Sequence, residues 1–106
     1  MGVYEGDPRT HKVTIDGAPL PVHRSGLIGS NQFTWGITGP GTTQLALAIL
    51  MSVLGDMRKA TLLAPQFALE ALVKPLTAQD AFTMTTEQAL EYITLAEANK
   101  PEIFYR

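Results

Sequence analysis

The chain has 106 residues, of which 45% are hydrophobic and only 17% charged, with a formal net charge of −2 and no cysteine. That length accommodates one domain, 1–106, with a core of its own. The charge balance argues against a nucleic-acid binder, which needs a basic face, and the missing cysteines exclude disulfides, thiolate nucleophiles and cysteine zinc sites.

The opening residues carry neither a basic segment nor an apolar run, so no signal peptide is expected. The longest apolar run, Leu45–Met51, is far short of the ~20 residues of a membrane span. The expectation is a soluble cytoplasmic protein without a membrane partner.

Val3–Tyr4 opens a first strand. His11–Asp16 alternates, with His11, Val13 and Ile15 on one face, and Asp16-Gly17 supplies the positive φ angles of a tight hairpin. The return strand, Ala18–His23, contains Pro19 and Pro21, so it belongs at a sheet edge. Arg24–Gln32 reads as a loop and Phe33–Ile37 as another strand.

From Thr43 the period becomes helical. Thr42 or Thr43 serves as N-cap, Gly55 closes the helix, and apolar side chains around most of its circumference make 43–54 the central core helix. Pro65 suits a first helical turn, which divides the next region into a short helix near Asp56–Leu63 and another over Pro65–Lys74. Thr85-Thr-Glu-Gln88 fits a capping box for a third helix, which Pro101 stops. The pattern predicts an α+β fold, a small antiparallel sheet of three or four strands packed on about three helices.

Several of these stretches together resemble a family of small bacterial, archaeal and phage proteins of unknown function. The resemblance rests on Phe33-x-Trp35-Gly36, Gly39-Pro40-Gly41 and Gln44-Leu-Ala-Leu-Ala-Ile-Leu50. It rests also on Tyr4-x-Gly6, Gly17-x-Pro19-Leu20 and Phe82-Thr-Met-Thr-Thr-Glu. Ile37, Thr42-Thr43 and Phe82 depart from its usual residues, and the tail 101–106 has no counterpart in it. The resemblance implies an α+β fold and no activity.

The candidate ligand-binding residues are Trp35, Gly39, Gly41, Thr42 and Thr43. A glycine-rich turn entering a helix can cradle an anion on backbone N–H groups. Here the Walker lysine and the Gly-x-Gly-x-x-Gly spacing are both missing, and Pro40 removes one donor. The competing reading is structural: the glycines permit a sharp reversal, Gln44 satisfies first-turn backbone groups, and Phe33 and Trp35 are core.

His11 and His23 lie one on each arm of the hairpin. A three-residue loop sets them opposite each other, whereas a two-residue turn pairs His11 with Val22 and His23 with Thr10. Two imidazoles, with Asp7 the nearest spare carboxylate, make a poor zinc set, so no metal and no cofactor are expected. Ser25, Ser30 and Ser52 lack a nucleophile context, and Glu87 with Glu91 forms an i, i+4 pair on a solvated face.

No catalytic residue is therefore assigned, and the balance falls against an enzyme. The expected function is a non-enzymatic interaction module, an accessory protein of a microbe or phage that docks on another protein or on itself. The alternative is a small-ligand or anion-binding protein, or a minimal enzyme, using the turn 38–44. Ile103, Phe104 and Tyr105 are candidate interface residues, adding a strand to the protein's own sheet or to a neighbour.

Overall fold

The computed structural model of the chain describes residues 2–22, 32–77 and 79–99. Four strands, β1 (Val3–Gly6), β2 (Val13–Ile15), β3 (Ala18–Pro19) and β4 (Phe82–Thr85), form an antiparallel sheet in the order β3-β2-β1-β4. Three helices follow the α+β expectation: α1 (Pro40–Leu54), α2 (Met57–Phe67) and α3 (Thr86–Asn99), with a π-helical segment, Ala68–Val73, continuing α2.

In β1 the alternation turns Tyr4 and Gly6 inward and Glu5 outward. A Cβ on Gly6 would lie 2.8 Å from Trp35 Cη2 and 3.0 Å from Phe82 Cβ. Glycine is needed there because the Trp35 ring packs directly on the strand backbone, next to the cross-strand partner Phe82. The Tyr4 hydroxyl hydrogen-bonds Ser52, whose own hydroxyl donates to the Ile49 carbonyl, and so links the sheet to α1. Burial raises the pKa of the Tyr4 phenol above its ordinary value.

Asp16 and Gly17 have φ of 52° and 85° and make the two-residue turn, pairing Thr14 with Pro19 and Ile15 with Ala18. The turn is therefore the two-residue one and not the three-residue loop; His23 lies outside the described residues. The return strand ends at Pro19 instead of reaching position 23. Leu20 N–H still donates to Val13 O at 3.0 Å, which turns the donorless backbone nitrogens of Pro19 and Pro21 away from β2, as an edge requires.

Phe33–Ile37 is not a strand. Thr34 N–H donates to Gly41 O at 3.3 Å and Gly36 N–H to Leu72 O at 2.6 Å. Its backbone is thus satisfied by two separate helical elements, while Phe33 and Trp35 are buried. The fourth strand is Phe82–Thr85, paired with β1 from Val3↔Thr85 to Gly6↔Phe82. Its inward residues are Phe82 and Met84.

Helix α1 begins at Pro40, three positions before Thr43, with Gly39 as N-cap at φ 154° and ψ 175°. Pro40 has the φ of a first helical residue and no N–H to leave unpaired. The threonine hydroxyls do not cap; Thr42 Oγ1 donates to Ile37 O at 2.6 Å and Thr43 Oγ1 to Gly39 O at 3.1 Å. Gly55 ends the helix in the left-handed conformation, its N–H on Met51 O. The six consecutive residues Leu45–Leu50 are fully buried, so α1 is the central helix.

Pro65 does not divide the second helical region. Helix α2 runs through it, and Ala68 N–H is shared between the Ala64 and Pro65 carbonyls before the ladder widens, with Lys74 N–H reaching Leu69 O. Burial of Ala60, Leu63, Ala64, Phe67, Ala71 and Leu72 on one continuous face outweighs the hydrogen bond lost at the proline. The capping box of α3 forms as expected. Gln88 N–H donates to Thr85 Oγ1 at 3.1 Å, and Thr85 N–H to Gln88 Oε1 at 2.9 Å.

Leu47→Ala and Leu50→Ala should each lower stability by about 2–5 kcal/mol, the cost of truncating a buried leucine. Urea denaturation checks this, and midpoints equal to wild type for both would refute the central role of α1.

Candidate functional site

The turn Thr38–Gln44 packs against the π-helical segment. Between them lies a groove of about 200 Å³, bounded by Thr38, Gly39 and Thr43 on one side and by Pro65, Leu69 and Val73 on the other. Ile37, next in the chain to Thr38, is 54% exposed, and Leu62, three residues before Pro65, is 42% exposed. The sequence signal for the far wall is Pro65 followed four residues later by Leu69, a helical spacing that leaves both on one side of the helix.

The sequence-derived candidates separate on inspection. Gly39 and Thr43 line the groove. Gly41 is buried, and a Cβ there would meet Thr34 Oγ1 at 2.8 Å. Thr42 also lines the groove, but it is 1% exposed and its hydroxyl is engaged by Ile37 O and by Thr34 Oγ1 at 2.8 Å. Trp35 is fully buried elsewhere, between the His11 ring at 5.4 Å and the Phe82 ring at 5.7 Å, with Nε1 donating to Asp80 O at 2.7 Å. Ile103, Phe104 and Tyr105 lie outside the described residues.

His11 has φ of 59° and its Nδ1 lies 3.1 Å from Phe33 O. Among the described residues no three His, Asp or Glu side chains come together in a metal-binding group. A depression of about 510 Å³ lies beside His11, Leu20 and Phe33.

Sequence reasoning missed Glu70. Flanked by apolar residues in the π-helical segment, it is only 6% exposed. Its carboxylate takes hydrogen bonds from Lys74 Nζ at 2.5 Å and Asn99 Nδ2 at 2.7 Å. These bonds, Lys74 first and Asn99 second, hold its pKa below the ordinary carboxylate value despite burial. The i, i+4 spacing to Lys74 was readable; the approach of Asn99 from α3 was not. The Glu70–Asn99 bond ties the end of α3 to the π-helical segment.

The arrangement defines a small α+β protein in which a glycine-entered helix is enclosed by a sheet and two further helices. The chain belongs to a family of unknown function, DUF6166, whose sequence profile matches residues 4–95. The tryptophan-glycine motif, the glycine-proline turn and the Phe82 segment all fall within that span. No curated protein and no solved structure matches the chain. Among the described residues no helix is long and apolar enough to cross a membrane.

Gly39→Ala should cost about 1–3 kcal/mol, because its φ and ψ lie in a region essentially reserved for glycine. Gly41→Ala should cost about 1–3 kcal/mol by overpacking against Thr34. Both losses should appear in thermal melts with and without added phosphate or nucleotide. Unchanged melting combined with abolished phosphate binding would instead make the turn an anion site.

Glu70 should also shape the acid limb of stability. Its folded pKa is lowered, so its contribution is complete above the unfolded value of about 4.3 and disappears as pH falls through the folded value. Glu70→Gln should flatten that acid-side dependence, measured as denaturation midpoint against pH, while an unaltered slope would show that the carboxylate charge is not linked to folding.

Proposed function

We propose that the protein is a non-enzymatic docking module, an accessory protein of a microbe or phage working in the cytoplasm, and that the groove beside α1 receives an apolar side chain of a partner protein. The observation that carries this reading is the apolar wall of the groove. Pro65, Leu69 and Val73 form that wall, and Ile37 and Leu62, close in the chain to lining residues Thr38 and Pro65, are exposed. In a chain with few charges, apolar surface of this kind marks an interface.

Size favours a side chain over a whole metabolite. Small-molecule pockets typically enclose about 300–1,000 Å³, and this groove holds about 200 Å³. The alternative, a small anion seated at the start of α1, has the turn geometry in its favour but faces a largely apolar opposite wall.

The test is comparative capture from a lysate of the source organism. Wild type and Thr83→Glu, altered on the outer face of the sheet, should retain a common partner that Ile37→Glu and Leu69→Glu lose. Equal melting temperatures would separate a lost contact from a lost fold. Retention of the same partner by both groove variants would overturn the reading.

A further inference from the structure

The depression of about 510 Å³ beside β2 shares no residue with the groove beside α1. Val13, Leu20 and Phe33, all buried, give it an apolar floor, and Thr10 and Lys12 also line it. Its volume falls within the ~300–1,000 Å³ typical of small-molecule sites.

Strand pairing fixes the direction of one polar group at this floor. In an antiparallel ladder the N–H and C=O of a residue point to the same side. Val13 O accepts from Leu20 N–H at 3.0 Å, so Val13 N–H points toward Leu20 and the depression that both line. Strand β3 ends at Pro19, and no bond returns from Val13 N–H to Leu20. Among the described residues no group accepts from that N–H. Val13 is only 4% exposed, and a backbone donor at such depth is normally paired.

His11 holds the two sides of the depression together. Its backbone is left-handed, with φ of 59°, a conformation that residues with side chains keep only where their surroundings impose it, often at ligand sites. Its N–H donates to Asp7 O at 2.8 Å, and its ring packs on Trp35 at 5.4 Å. Nδ1 lies 3.1 Å from Phe33 O; a carbonyl only accepts, so Nδ1 carries a proton. That bond spans from the start of the hairpin to the buried Phe33.

We infer that this depression binds a small apolar carboxylate, with its hydrocarbon body on Val13, Leu20 and Phe33 and a carboxylate oxygen on Val13 N–H. The open backbone group is a donor, which selects an acceptor. Lys12 selects an anion among acceptors: no acidic residue is among the described ones that line the depression. Glu5 and Asp7 line a separate depression, and among the described residues Lys12 forms no ion pair with either. A charged acceptor also makes the stronger hydrogen bond to a backbone N–H.

The test is titration of the complete ¹⁵N-labelled protein with phenylacetate and, separately, with hexanoate, an aromatic and an aliphatic body on the same charged group. At least one should move the Val13, Leu20 and Phe33 amide peaks saturably, Val13 downfield as its N–H gains an acceptor, while Gly39 and Thr43 stay in place. Trp35, the chain's one tryptophan, should report the same transition by fluorescence through its contact with His11. Phenylacetamide, uncharged and of the same shape, should bind several-fold more weakly than phenylacetate. Lys12→Gln, at an exposed position, should weaken carboxylate binding several-fold with an unchanged melting temperature. No saturable shift with either acid, a saturable shift centred on the turn 38–44, or equal affinity for phenylacetate and phenylacetamide would each overturn the inference. None of these outcomes bears on partner capture at the groove, so the docking reading stands or falls separately.

Discussion

A helix that is apolar on every face has no side to offer to water. Leu45–Leu50 in α1 is such a segment, and the other elements are arranged to enclose it. The sheet joins it through Tyr4 and Ser52, α2 makes the most extensive contact with it, and α3 and the π-helical segment close the remaining sides. Because the hydrophobic term scales with area removed from water, this one helix gains most from assembly. The glycine-rich turn is first of all the means of entering it abruptly, with Gly39 in a conformation that side chains rarely adopt.

The second constraint is where to put Trp35. Its ring fills the space above Gly6, between His11 and Phe82, and its only polar atom is satisfied by the Asp80 carbonyl. A buried indole needs such a partner. Three distant pieces of chain therefore converge on one side chain, and the segment that carries it cannot also pair as a strand. Gly36 binds Leu72 instead, which fixes the extended segment to the π-helical turn and shapes the groove at its end.

The groove is thus a by-product of packing that became available surface. Its walls are backbone turn and apolar helix, and its neighbour Glu70 is a buried charge whose bonds to Lys74 and Asn99 hold α3 in place. A carboxylate with this degree of burial is tolerated because both its oxygens are bonded.

Local chemistry was legible in the sequence. Asp16-Gly17 specifies its turn because few residues accept positive φ; Thr85 and Gln88 specify a helix start because each satisfies the other's backbone; Gly55 specifies a helix end. The uninterrupted apolar run of α1 announced burial before any neighbour was known. Tertiary structure decided what depended on partners distant in the chain. It carried the helix through Pro65, since packing of its one buried face compensated the missing bond. It made Phe82–Thr85 a strand, since only β1 could supply the ladder, and it withdrew Phe33–Ile37 from the sheet. It also joined the turn at Gly39 to Leu69 and Val73, a wall that no spacing of residues in the turn itself could indicate. Turns and caps are settled within a few residues by dihedral limits and short hydrogen bonds, whereas strands, grooves and buried charges exist only once separate segments meet.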